Sequence, residues 1–141
     1  MRLSIVPYTA DRVEAVKEFN RRLKTGGSTW RLTESHIPDW LPKSGGLDLY
    51  QEYFLAVDEC ASVHGGYALK QQLFNVNGRE ITLGVCRMPI SEGIVNPAYG
   101  LVGAILLRDA LRRQPLLYAL GMGGLDTPYA RLLIRALKWK L

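Results

Sequence analysis

From Ile81 to Trp139 the chain reads strand, loop, helix, strand, helix. The loop carries Val95, Pro97 and Tyr99 and enters the first helix through Gly100 and Gly103. A strand that runs through small residues into a helix N-terminus leaves several backbone N–H groups without intrahelical acceptors. Those groups and the helix dipole favour an anion, most often a phosphate. The segment therefore fixes a strand-to-helix crossover and nominates a binding site in the same few residues.

The remainder of the chain surrounds that crossover with recognisable elements. Leu3 to Val6 reads as a first strand. Asp11 and Glu14 stand at capping-box spacing ahead of Val13, Val16, Phe19 and Leu23, which recur at helical intervals, and Gly26-Gly27 stops that helix. Residues 25–49 hold four glycines, two prolines, Trp30 and Trp40 and suit no long regular element. The two indoles either line a pocket or plug the core, and their large apolar area favours the core. Tyr53 to Asp58 reads as a strand, and Val63 to Val76 contains a second, with a flexible Gly65-Gly66 near its start. Asn77-Gly78 is a strong hairpin signal. Glu80 to Arg87 completes a three-strand meander. Pro89 kinks it, because proline donates nothing to a ladder, and Ile90 to Val95 continues it.

A helix from about Tyr99 to Arg113 follows. Leu101, Val102, Ile105, Leu106 and Ala110 are read as inward, and Arg108, Arg112 and Arg113 as solvent-facing. Leu116 to Leu120 is an apolar strand, and Gly121, Gly123 and Gly124 open a loop. Asp126 or Thr127 caps a last helix with Pro128 near its first position and an apolar stripe of Tyr129, Leu132, Leu133, Ala136 and Leu137.

The chain has 141 residues, a length for one domain spanning 1–141. With 48% hydrophobic and 22% charged residues it has the composition of a globular protein, and no apolar run approaches the ~18 residues of a membrane span. Met1 to Pro7 lacks a signal-peptide core, so the default location is cytoplasmic. Cys60 and Cys86 match no zinc or redox spacing and read as reduced, partly buried thiols. His36 and His64 stand at no metal-ligand spacing, so no metal is indicated. The net charge of +5 lies wholly in residues 108–141, which hold 7 basic and 2 acidic side chains. A solvated basic helix face accounts for this, and the absence of interleaved aromatics gives nucleic-acid binding little support.

The order of elements resembles the GNAT acetyltransferase superfamily from Arg2 to Trp139. The expected fold is thus α/β with a mixed sheet, in the order β-α-(α)-β-β-β-α-β-α. Val95-Asn96-Pro97-Ala98-Tyr99 resembles that family's Val-x-Pro-x-Tyr lead into its pyrophosphate loop, and Leu133 to Trp139 resembles its Leu-Tyr-x-x-Leu-Gly-Phe segment. Ile134 stands where the family has its tyrosine, and Lys138 where it has glycine. Of Gly100, Gly103 and Ile105, aligned with the three defining loop positions, Gly103 alone matches. The family adds two further strands after the last helix. The resemblance therefore implies a C-terminally truncated fold, or the N-terminal fragment of a longer protein, with an exposed edge at Leu116–Leu120 that a second copy would cover as a homodimer.

The implied activity is transfer of an acetyl or other acyl group from acyl-CoA to an amine, the acceptor being a small molecule or a peptide. The backbone of Ile94 and Val95 would pair with the pantetheine amides. Gly100 and the N–H groups of Leu101, Val102, Gly103 and Ala104 would cradle the pyrophosphate, and Arg108 and Arg112 would add attraction. Glu92 is the candidate base and Tyr129 the candidate acid. The alternatives are a surface carboxylate and a core aromatic. His64 reads as facing the acceptor or as a hydrogen-bonded structural histidine. The competing function is a non-catalytic GNAT-like binding module with a degenerate CoA loop.

Overall fold

A computed structural model describes residues 2–34, 49–118, 126–131, 133 and 134, the side chains of Pro128 and Tyr129 excepted. The elements are β1 (Ser4–Pro7), α1 (Val13–Thr25), β2 (Leu49–Val57), β3 (Val63–Val76), β4 (Arg79–Ser91), α2 (Val102–Arg113), β5 (Leu117–Tyr118) and α3 (Pro128–Arg131). Among the described residues they form a five-stranded sheet in the order β1-β2-β3-β4-β5, antiparallel except for the parallel pair β4–β5. The expected mixed sheet and order of elements are therefore present. Trp40, residues 119 and 120 of the expected last strand, the Gly121–Gly124 loop, and Leu132 and Ala136 to Trp139 of the expected last helix lie outside the described residues.

The sheet separates two cores by strand alternation, since successive side chains leave opposite faces. Leu55 and Val57 of β2 join Val16, Phe19 and Leu23 of α1 on one face. Phe54 and Ala56 join Val102, Leu106 and Ala110 of α2 on the other. Asn77 and Gly78 both take positive φ, 51° and 78°, as a two-residue hairpin between right-twisted strands requires.

Gly65 and Gly66 are packing positions rather than a flexible start to β3. A Cβ on Gly65 would lie 2.7 Å from the Ile90 carbonyl oxygen and 2.9 Å from Val102 Cγ1, so the missing side chain lets α2 settle on the sheet. A Cβ on Gly66 would meet the Phe54 carbonyl at 2.9 Å and Leu32 at 3.0 Å on the opposite face.

Several local expectations are corrected. The Asp11–Glu14 capping box does not form. A 3-10 turn over Ala10–Arg12 precedes α1, Arg12 is its N-cap without a side-chain bond, and Glu14 pairs with Lys17 at 2.7 Å. Trp30 does not plug the core and is 62% exposed. Leu101 is 77% exposed, because the chain makes a separate 3-10 turn over Pro97–Tyr99 and α2 begins only at Val102. Arg113 is exposed as expected, and it also lays its guanidinium carbon 3.8 Å from the Phe54 ring centroid. Cys86 is buried, but Cys60 is exposed. Thr127 Oγ1 accepts from Ala130 N at 3.2 Å and so caps α3 as the sequence suggested.

Candidate functional site

Two irregularities in the sheet shape the region where β4 leaves it. Ala56 pairs with Gly65 and Val57 with Val63, so His64 is the extra residue of a bulge in β3. Gly66 pairs with Ile90 and Ala68 with Arg87, so Met88 and Pro89 together face Tyr67, with Met88 at φ +46°. Bulges re-aim side chains, and this is where the proline kink anticipated at Pro89 is absorbed without ending the strand. β4 then stops at Ser91, whose Oγ accepts from Gly93 N at 3.0 Å. A Cβ on Gly93 would meet the Tyr99 carbonyl at 2.7 Å, so the turn closes tightly on the segment that follows.

Ile94 and Val95 consequently lie in and after a 3-10 turn rather than at a strand end. Val95 N and Asn96 N both bond to the Glu92 carbonyl, at 3.0 and 2.9 Å. The expected backbone pairing of Ile94 and Val95 with a ligand's amides loses the Val95 donor to this turn.

Glu92 is not a surface carboxylate. It is 4% exposed and takes Arg22 on both oxygens, Nε to Oε1 at 2.9 Å and the second nitrogen to Oε2 at 3.0 Å. His64 Nδ1 lies 2.7 Å from Glu92 Oε2, and His64 Nε2 lies 3.1 Å from Asp58 Oδ2. Tyr99 stacks on the imidazole at 4.3 Å between centroids and 16° between planes. The cluster ties α1, the β2–β3 connection, β3, the turn after β4 and the loop before α2 into one unit, with His64 hydrogen-bonded between two carboxylates. Sequence reading did not find Arg22, Asp58 or the Tyr99 stack. The one available signal was that Arg22 adjoins Leu23 on the α1 stripe.

Burial pushes the Glu92 carboxyl up. The hydrogen bonds and charges of Arg22 and His64 outweigh that, so the group sits below the ordinary glutamate range. The Asp58 carboxyl is held down by its bond to His64 and by the amides of Ser62 and Cys60. Carboxylates lowered on folding stabilise the protein above their unfolded pKa of about 4, and that contribution disappears as pH falls through the lower folded values. The urea midpoint is thus expected to hold between about pH 7 and 5 and to drop by about pH 3. Equal midpoints at the two ends would contradict the pairing of these carboxylates.

The N-terminus of α2 has the opposite character. Tyr99 N bonds to the Asn96 carbonyl and Gly100 N to the Pro97 carbonyl, both at 3.0 Å, which completes the turn ahead of the helix. Ile105 N then bonds to the Leu101 carbonyl at 3.1 Å. The N-cap Leu101 offers no side-chain acceptor. The amides of Leu101, Val102, Gly103 and Ala104 therefore precede the first intrahelical bond. Space is available beside them: a Cβ on Gly103 would find nothing nearer than Ser91 Cβ at 3.9 Å. Arg108 is exposed, whereas Arg112 is partnered by Asp109 at 2.9 Å. Tyr129 is the second residue of α3, and its side chain is outside the described set.

No protein-family model matches the sequence, and no curated protein matches it. Solved structures do. A GNAT family acetyltransferase from Staphylococcus aureus superposes with a TM-score of 0.60 at 13% identity, over 89% of this chain and 90% of that one. This chain has the GNAT fold. An acetyltransferase from Trypanosoma brucei matches with a TM-score of 0.61 at 12% identity, covering 99% and 94% of the two chains. An aminoglycoside 6′-N-acetyltransferase from Acinetobacter haemolyticus gives 0.60 at 17% identity, covering 98% and 91%. Within the GNAT fold of this chain, the open amides lie on the β4–α2 crossover and the buried ionic cluster braces the loop leading to them. Among the described residues no helix is long and apolar enough to cross a membrane.

Proposed function

We propose that the chain is an acyl-CoA-dependent N-acyltransferase. The observation that carries this reading is the uncapped N-terminus of α2, Leu101 to Ala104, placed on the β4–α2 crossover of a GNAT fold. Four amides and the positive end of a helix suit a diphosphate, and the room beside Gly103 admits one, so the residues present fit the nucleotide end of acyl-CoA. A bound acyl-CoA supplies a thioester carbonyl to which an amine adds while the thiol leaves.

The chain's own residues divide the remaining work. Glu92, with both oxygens engaged and its basicity lowered, is a weak base. Its role in this reading is to hold the loop in place through Arg22 and His64. Tyr129, on the first turn of α3, remains the proposed acid that gives its phenolic proton to the departing sulfur. The acceptor amine sheds its proton to solvent.

A second reading, a GNAT-fold binding module without turnover, draws on the same engagement of Glu92 and on Ile134 where the family has its tyrosine. Calorimetric titration with acetyl-CoA and CoA, followed by a thiol-release assay, separates the two. Acyl transfer predicts micromolar binding and thiol release with an amine present. Binding without release favours the module. No heat at roughly millimolar ligand removes both CoA readings.

A further inference from the structure

A cavity of about 170 Å³ opens on the α1 face of the sheet. Its walls come from Tyr8, Leu32, Tyr53, Leu55, Ala68 and Met88. Phe54 and Tyr67 border it from behind, because their rings belong to the opposite core. The rim segment is fixed rather than loose. Buried Asn20 bonds to both the amide and the carbonyl of Leu32, at 2.9 and 2.8 Å, and Tyr8 Oη donates to the Thr33 carbonyl at 2.8 Å. The volume is close to the ~150 Å³ that accommodates a single benzene-sized group.

One polar line crosses this apolar space. Arg87 lies at the β4 bulge and reaches Gln51 Oε1 at 3.4 Å, a long bond, and it has no ion pair among the described residues. Gln51 is buried, and its Nε2 donates to Tyr53 Oη at 2.7 Å. The line runs in one direction, from guanidinium to amide to hydroxyl. It therefore ends in a Tyr53 O–H that still has a hydrogen to give, with a cation at its other end. Tyr53 is half-buried and Arg87 exposed, so a carboxylate at the mouth of the pocket would meet a free hydroxyl hydrogen and a guanidinium that no carboxylate pairs with among the described residues.

We infer that this pocket takes the apolar side group of an α-amino acid, with the amino acid's carboxylate recognised by Arg87 and Tyr53 Oη. The inference rests on the acyltransferase reading for the role of the amino group, and it names the acceptor class for that reaction. The carboxylate oxygens supply the missing acceptors, the side group fills the aromatic walls, and the amine is left beside β4 where it turns toward the loop.

The test is calorimetric titration of the full chain, without CoA, using L-phenylalanine, L-leucine, phenethylamine and glycine. L-Phenylalanine and L-leucine are expected to bind. Phenethylamine, lacking the carboxylate, and glycine, lacking the side group, should each bind at least about tenfold more weakly. Arg87→Gln alters an exposed residue and should weaken L-phenylalanine about tenfold while leaving phenethylamine unchanged. Tyr53→Phe removes one hydroxyl and should weaken L-phenylalanine alone in the same way. No heat from either amino acid at roughly 10 mM, or equal affinities for L-phenylalanine and phenethylamine, would overturn the inference. Acetyl-CoA titrated into the same preparation keeps the two readings apart. Acetyl-CoA binding without amino-acid binding overturns only this pocket. Amino-acid binding without acetyl-CoA binding supports the pocket and overturns the acyltransferase.

Discussion

Arg22→Ala is expected to lower stability by about 3 kcal/mol, a fall in Tm of roughly 6–12 °C for a chain of this size. The guanidinium fills both oxygens of Glu92, whose side chain is 5% exposed, and also donates to the Val63 carbonyl. Removing it leaves a carboxylate in the protein interior with His64 as its remaining partner. That cost exceeds the net worth of the pair, because the desolvation of Glu92 is then uncompensated. The double variant Arg22→Met with Glu92→Leu should recover most of the loss, since it removes both charges at once. Urea denaturation of the single and double variants measures both. A single variant within about 0.5 kcal/mol of the parent would mean that the cluster does not hold the loop.

Gly103→Pro is expected to remove acyl-CoA binding, lowering affinity by at least about a hundredfold. Proline deletes the N–H at the second position of α2 and constrains Val102 before it. Gly103→Asp provides the control against a merely misfolded helix. A carboxylate in the first turn complements the helix dipole and should leave stability equal or raised by about 0.5 kcal/mol, while repelling a diphosphate. Gly103→Ala keeps the N–H, and its Cβ falls 3.9 Å from Ser91 Cβ, so it should bind as the parent does. Calorimetry on the three variants checks the set. Undiminished affinity in both Gly103→Pro and Gly103→Asp would place the ligand elsewhere.

Local pattern sufficed for much of the scaffold. The presence of β3 within Val63–Val76, the Asn77-Gly78 hairpin and the buried α1 stripe of Val16, Phe19 and Leu23 follow from alternation, turn chemistry and helical period. The existence of α2 was also legible from glycine content and the following apolar period, although the helix begins at Val102 rather than near Tyr99. What local pattern could not show is the brace behind it. Arg22 meets Glu92 across 70 positions of sequence and His64 meets it across 28, and no periodicity links residues that far apart. The His64 bulge hid for a related reason: an inserted residue keeps its strand character while changing the side to which it points. Trp30 and Leu101 show the limit of reading burial from hydrophobicity alone. Both are large and apolar, and both sit where the chain turns outward from an element. The amino-acid pocket was invisible for the same reason as the brace. It joins Tyr8, Gln51, Tyr53 and Arg87 from two strands and the turn after β1.

The central claim is that the amides opening α2 grip a diphosphate. Nitrogen-15 amide spectra recorded while CoA is added to the full chain read those groups one by one. The account predicts that Leu101, Val102, Gly103 and Ala104 shift most and together, with smaller changes along Ser91 to Gly100. Saturating shifts confined to another face, or none at millimolar CoA, would contradict it.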